Sequence, residues 1–194
     1  MKYFEETLRI LTDSIKALDE EKFEKLLNKC NEVIDNGNKI IVSGLGKNVA
    51  ICDKFVGSML SLGMPAYFLH TNSAVHGDMG LIKSGDLVII LTKSGETSES
   101  IYLTNLIQKI EGVNLWLLTF NSKSTLTDMI EDSYVIDLEH EGDMWNLMPI
   151  NSSTMNLIFL QVLAIELAKL RKIDIKEFKK NHPGGHIGST LAGK

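Results

Sequence analysis

The stretch Asp86-Leu87-Val88-Ile89-Ile90-Leu91-Thr92-Lys93-Ser94-Gly95-Glu96-Thr97 decides how the chain folds. Its apolar run from Leu87 to Leu91 is unbroken, short and rich in β-branched side chains. A strand that is apolar at every position is buried on both faces, which is the mark of a parallel sheet covered by helices on each side. The run ends at a polar loop. From Glu96 to Ile110 the spacing becomes helical, with Leu103, Leu106, Ile107 and Ile110 on one face.

The same alternation extends outward in both directions. Lys39-Ile40-Ile41-Val42-Ser43 reads as a strand that stops at Gly44-Leu45-Gly46, and a helix follows through about Leu62. Pro65 to His70, Asn114 to Phe120 and Ser133 to Asp137 are three more predicted strands. Residues 2–18 and 20–36 carry apolar side chains three and four apart, and the second of these helices ends at Asn36-Gly37-Asn38. Residues 151–171 are apolar nearly all round, which predicts a buried helix. The expectation is one α/β domain over residues 1–194. Residues 1–38 form N-terminal helices that pack on the domain or on a neighbouring subunit.

Composition narrows the function classes. A net charge of −5 argues against a broad grip on a nucleic-acid backbone, but not against one small anion held by local dipoles. Cys30 and Cys52 are too few for a disulfide framework and read as reduced, buried thiols. Residues 1–18 mix charges with apolar side chains and do not read as a signal peptide. The apolar stretch Leu157 to Ala168 contains Gln161 and Glu166 and reads as too short for a membrane span. The expected location is the cytoplasm, with neither a membrane nor a nucleic acid as partner.

In an open parallel sheet, ligands bind beyond the carboxyl ends of the strands. Two polar loops fall there. Thr92, Ser94 and Thr97 surround Gly95 immediately before a helix, whose free N–H groups and positive dipole end suit a phosphate. The plainer reading is that Ser94 or Thr97 merely caps that helix. The loop Ser43-Gly44-Leu45-Gly46-Lys47 imitates nucleotide motifs and fails both. Val49 stands where a dinucleotide fingerprint needs glycine, and Ile41 and Asn48 break the triphosphate-loop pattern. Lys47 remains a candidate cation. Further candidates are His76 in Asn72 to Asp78, Glu141 in His140-Glu141-Gly142-Asp143, and His182 in Asn181 to Gly188. The histidines lack metal-ligand spacing, since Pro183 and two glycines exclude a helix between His182 and His186.

Taken together and in order, Ser43 to Lys47, His76-Gly77-Asp78, Ser94-Gly95-Glu96-Thr97, Pro149 to Thr154 and His182-Pro183-Gly184-Gly185 resemble the sugar isomerase (SIS) domain of arabinose 5-phosphate isomerases. The resemblance covers about Lys39 to Leu191. It implies a three-layer α-β-α sandwich around a five-stranded parallel sheet, a sugar-phosphate ligand and a homotetramer whose active sites are shared between subunits. It also implies no organic cofactor. The implied reaction interconverts D-ribulose 5-phosphate and D-arabinose 5-phosphate, a precursor of the lipopolysaccharide sugar Kdo. The implied catalytic residues are Lys47, Glu96, Glu141, His182 and His76, with Glu141 as base at carbon and a histidine moving protons at oxygen. Ser43, Gly44, Thr92, Ser94, Gly95, Thr97 and Ser153 fall at substrate- and phosphate-binding positions.

The sequence departs from the family pattern in several places. Longer members continue into a pair of CBS domains, and this sequence is read as the SIS domain alone. Lys93 replaces a residue that is usually uncharged, offering a further phosphate contact. Asp143 to Asn146, Met148 to Asn151 and His186 also differ, which leaves the sugar more open than the phosphate. The alternatives are a related isomerase, such as a 6-phospho-3-hexuloisomerase or one serving polyol catabolism, and a non-catalytic phosphosugar sensor.

Overall fold

A computed structural model describes residues 4–192. In chain order the elements are α1 (Glu5–Lys16), α2 (Glu20–Asp35), β1 (Ile40–Gly44), α3 (Asn48–Ser61), β2 (Ala66–Phe68), α4 (Thr71–Ala74), a 3-10 turn (Asp78–Leu81), β3 (Leu87–Leu91), α5 (Ser98–Ile107), β4 (Asn114–Thr119), α6 (Thr125–Met129), β5 (Ser133–Val135), α7 (Asn151–Leu170), α8 (Ile175–Lys180) and α9 (Gly185–Ala192). The five strands form one parallel sheet in the order β2-β1-β3-β4-β5. The α/β fold expected from the sequence is therefore present, with β1 shifted one residue onward to include Gly44 and the other strands trimmed by a residue or two at their ends. The short elements α4, α6, α8 and α9 lie in stretches where the apolar spacing marks no element.

The middle strand shows why helices must cover both faces. Successive strand side chains point to opposite sides. Leu87, Ile89 and Leu91 enter one core with Cys52, Phe55, Met59, Phe159, Leu160 and Leu163. Val88 and Ile90 enter the other with Leu103, Ile107, Leu126 and Ile130. The first core lies under α1, α2, α3 and α7, and the second under α4, α5 and α6. The three layers are thus α, β and α. Both N-terminal helices pack on the domain itself, burying Ile10 and Leu11 from α1 and Leu26, Cys30 and Val33 from α2. Cys30 and Cys52 are free and buried, and burial pushes the Cys52 thiol up to about 12.

The long helix α7 differs from expectation. One side is buried through Met155, Phe159, Leu163 and Leu167, but Val162, Ile165 and Leu170 are exposed. At 20 residues it is also long and apolar enough to cross a membrane by length and composition, although its buried side packs against α1, α2 and α3.

The strand order contains a topological switch. From β1 the chain moves outward to β2, then crosses back to β3 on the other side of β1. The loops after β1 and β3 therefore diverge and leave a crevice at the carboxyl edge. The opposite edge is locked. Buried Asp86 takes Lys39 Nζ at 2.6 Å, the Lys83 amide at 2.7 Å and the Lys39 amide at 3.2 Å, where β1 and β3 begin side by side. Asp86→Ala would leave these donors without their acceptor and should lower stability by about 3 kcal/mol. Urea unfolding measures this; a loss below about 1 kcal/mol would contradict the locking role.

Candidate functional site

The crevice is a cleft of about 340 Å³ at the carboxyl ends of β1 and β3. Lys47 and Asn48 enter it from the β1 side, Thr92, Ser94 and Thr97 from the β3 side, and Ser152 and Asn156 from α7. The loop after β3 is held in shape from several directions. Thr92 N donates to Leu118 O at 3.0 Å, and Gly95 N donates to Thr92 Oγ1 at 3.2 Å. Asn121 Nδ2 donates to Ser94 O at 3.0 Å. Gly95 has φ +71°, and a Cβ there would run into the Ser124 side chain, 2.6 Å from Ser124 Cβ. Only glycine satisfies both the backbone angle and the contact.

Whether Thr97 simply caps α5 is answered by its bonding. It occupies the N-cap position but makes no side-chain capping bond. Ser94 Oγ accepts from Glu96 N at 3.2 Å, within the loop. The first turn of α5 therefore faces the cleft without a side-chain cap, leaving amide donors suited to an anion. Lys47 is the N-cap of α3, which likewise lacks a side-chain cap, and it adds a positive charge to the cleft wall.

The third helix start is treated differently. Glu141 is fully buried and holds the first turn of α7. Its Oε2 accepts from Ile150 N at 3.0 Å and Ser152 N at 2.9 Å, while Oε1 accepts from Ser152 Oγ at 2.6 Å. Lys93 Nζ sits 2.7 Å from the same Oε1. Burial pushes the Glu141 carboxyl upward, but the Lys93 ammonium, the Ser152 hydroxyl and the two amides outweigh it and hold the group below its ordinary value. A second cavity of about 350 Å³ adjoins the cleft, and Lys93 and Ser94 line both. Glu141 lines the second cavity, beside His140 and Asn146.

The remaining sequence candidates are dispersed. Ser43 is buried, with its Oγ 3.0 Å from Thr71 Oγ1, and does not line the cleft. A Cβ on Gly44 would lie 2.8 Å from Asn48 Cβ, so this glycine admits the start of α3 close to β1. Glu96 turns toward α6, accepting from Thr125 N and Oγ1 at 2.8 Å each, and these bonds hold its carboxyl low. Ser153 donates to Pro149 O at 3.0 Å, whereas its neighbour Ser152 lines the cleft. His76 is exposed after β2 and outside the cleft lining. His182 stacks on Phe178 with ring centroids 3.9 Å apart, and its Nδ1 lies 2.8 Å from Phe178 O. The adjacent Asn181 bonds Ser61 O at 3.3 Å, at the end of α3 that leads into the start of β2. Within one chain, His182 is thus on the opposite edge of the sheet from the cleft.

Asn48, Ser152 and Asn156 are cleft residues that the sequence reading missed. Ser152 and Asn156 are four apart on α7, and that spacing was the available signal, two polar residues on one face of an apolar helix. Asn156 Nδ2 donates to Asn48 Oδ1 at 3.1 Å, and Asn48 Nδ2 donates to Leu91 O at 3.3 Å, which ties the cleft walls together.

Residues 33–166 match the model of the SIS domain, and the chain belongs to that family. It is 31% identical over 185 residues to the arabinose 5-phosphate isomerase KdsD of Pseudomonas aeruginosa, covering 95% of this chain and 56% of that protein. It is 33% identical over 189 residues to the KdsD of Francisella tularensis, covering 96% and 58%. The chain therefore spans a little over half the length of these curated relatives. Among solved structures, a protein of E. coli CFT073 in complex with arabinose 5-phosphate aligns with a TM-score of 0.85 and 29% identity, covering 94% of this chain and 95% of that one. A Bacteroides fragilis protein described as a putative phosphosugar isomerase involved in capsule formation aligns at 0.88 with 26% identity, covering 95% and 98%.

Two outcomes follow from this geometry. Gly95→Ala should destabilise the protein by roughly 2 kcal/mol or more, through backbone strain and the Ser124 collision, as read from the denaturation midpoint. A neutral result would mean that the loop relaxes freely. The second concerns pH. The folded-state carboxyl of Glu141 lies below its unfolded value, so its stabilisation is present above the unfolded value of 4.5 and lost as pH falls through the folded one. The difference in unfolding free energy between wild type and Glu141→Gln should shrink as the solution is acidified below about pH 5. A constant difference down to about pH 3 would contradict the assignment.

Proposed function

We propose that this chain is a phosphosugar aldose–ketose isomerase, interconverting D-ribulose 5-phosphate and D-arabinose 5-phosphate through an enediol. The observation that carries the reading is the α5 first turn, which is free of a side-chain cap and shares one cleft with Lys47, Ser94 and Thr97. Such a turn supplies amide hydrogens and a positive dipole end to a phosphate. The sugar then extends toward α7 and Lys93, beyond which the Glu141 carboxylate lies. The relatives named as arabinose 5-phosphate isomerases and the similar structure holding arabinose 5-phosphate support the choice of sugar.

The chemistry proceeds in balanced steps. Glu141 takes a proton from C1 of the ketose, and the C–H pair becomes the C1=C2 bond. The carbonyl π pair moves to O2, where Lys47 stabilises the charge. O2 takes a proton to give the enediol, the C1=C2 pair takes a proton at C2, and the O1 proton leaves as its O–H pair becomes the C1=O1 bond of the aldehyde. The oxygen protons need a group that both donates and accepts, and we assign that role to His182, with His76 as second choice. Because His182 lies at the far sheet edge of its own chain, this role requires the histidine of a neighbouring copy in a homotetramer. Glu96 acts indirectly, fixing the phosphate loop through Thr125.

A panel of phosphorylated pentoses and hexoses, incubated with pure protein in deuterated water, tests the reading. The expected result is loss of the proton signal at C1 of the ketose or C2 of the aldose, for the five-carbon pair first. Exchange with a hexose phosphate only would reassign the substrate. Binding without exchange of any sugar would point to a sensor.

A further inference from the structure

Four donors converge on Glu141, and they differ in one respect. The Ile150 and Ser152 amides belong to the N-cap and first turn of α7 and cannot leave without unwinding it, and the Ser152 hydroxyl is neutral and sits on a short, buried side chain. Lys93 is the exception. Its carbonyl is anchored by Phe120 N at 3.3 Å and Thr119 Oγ1 at 3.2 Å, but its ammonium rides on a flexible stem. The Lys93 side chain is 42% exposed, against 0% for Glu141. It also forms part of the wall between the cleft and the cavity that reaches Glu141.

We propose that Lys93 is shared between two anions, pairing with Glu141 while the cleft is empty and turning to a phosphate when one binds, so that ligand binding itself makes Glu141 more basic. This rests on the reading of the cleft as a phosphate site and of Glu141 as the base. A phosphate at the start of α5 competes for the same ammonium that Glu141 holds at 2.7 Å. Phosphate, singly charged in the acid range where Glu141 titrates and doubly charged near neutrality, offers several acceptor oxygens, so Lys93 gains by moving. Glu141 then loses its cation but keeps three neutral donors, which favours its protonated form relative to the empty state.

On the α5 side, Glu99 lies in the first turn and accepts from the Ser98 hydroxyl at 2.9 Å, and Glu96 is turned to Thr125. The first turn of α7 carries no acidic or basic residue. On the Glu141 loop, His140 Nδ1 accepts from Gly142 N at 2.9 Å, and Asp143 is held by the Leu147 and Met148 amides at 3.0 and 3.3 Å. The rest of the second cavity, including Phe120, Asn121, Leu138 and Asn146, is uncharged. Lys47 lies on the α3 side of the cleft and is available to the same phosphate. Lys93 is thus a positioning residue that acts on the reaction through Glu141, and the switch needs no movement of the backbone.

The experiment reads Glu141 directly, without relying on turnover. The full chain is labelled with glutamate carrying carbon-13 at the carboxyl, and Glu141→Gln identifies the signal. Its titration is followed with and without saturating inorganic phosphate, whose binding is monitored separately by phosphorus-31 line width. In wild type, phosphate should raise the titration midpoint by about one pH unit, a tenfold change in proton affinity. In Lys93→Gln the midpoint should already be raised, and phosphate should move it by less than half as much. Lys93→Arg should retain the wild-type response, which guards against a folding defect in the neutral variant. Phosphate that binds without moving the wild-type midpoint overturns the proposal alone, as does an equal movement in Lys93→Gln. Absence of phosphate binding in wild type overturns the phosphate reading of the cleft as well.

Discussion

The architecture depends on β3 being dry on both faces. Five consecutive apolar side chains, alternating between two cores, are each worth about 2 kcal/mol when fully buried. That gain is available only if helices cover the sheet from both sides, which forces the crossover connections and the parallel order. With β3 in the centre and β2 outside β1, the connections diverge at one edge. The cleft is a geometric consequence of burying the strand, and its polar lining is placed there by the loops that must turn back into helices.

Among the described residues, five helices start at that edge, and α4 and α6 are capped by His70 and by Ser124, which leaves the donors of α3, α5 and α7 to find other partners. Glu141 answers for α7 within the protein, while α3 and α5 have no side-chain cap. A stable fold could have capped all three with its own side chains. The proposed anion site rests on the difference, because amides already satisfied by a carboxylate have nothing left to offer a phosphate. Thr97 stands at the capping position and does not cap. Glu96 bonds α6 and keeps its negative charge away from the donors of α5.

The strands were legible because their apolar runs are continuous, and the cleft loop because Thr92 to Thr97 follows the most apolar of them. Gly95 was legible as a position needing glycine, but its reason, the approach of Ser124, comes from residues far along the chain. The motif that points to Ser153 indicates a segment and not which side of a helix turn faces the cleft, where Ser152 stands instead. Asn48 and Asn156 escaped notice because their bond joins residues 108 apart in sequence. Trp145 and Met144 differ from the family pattern and prove strongly exposed, a property that depends on the turn they occupy. The exposed side of α7 escaped for a simpler reason. An all-apolar helix does not record which of its faces the domain covers.

Two buried acids paired with lysine, Asp86 and Glu141, show how similar contacts acquire different meanings. Asp86 joins Lys39 and two backbone amides at the amino edge, where β1 and β3 begin and the chain makes a tight turn. Lys39 is itself largely buried, so neither partner has anywhere else to go. Glu141 has the same kind of cation at nearly the same distance, but Lys93 is on an exposed stem between two cavities at the carboxyl edge. An ion pair whose partners are both enclosed fixes a structure. One that is enclosed on a single side has a second state available whenever another anion arrives, and the sheet topology decides which acid receives which kind of lysine.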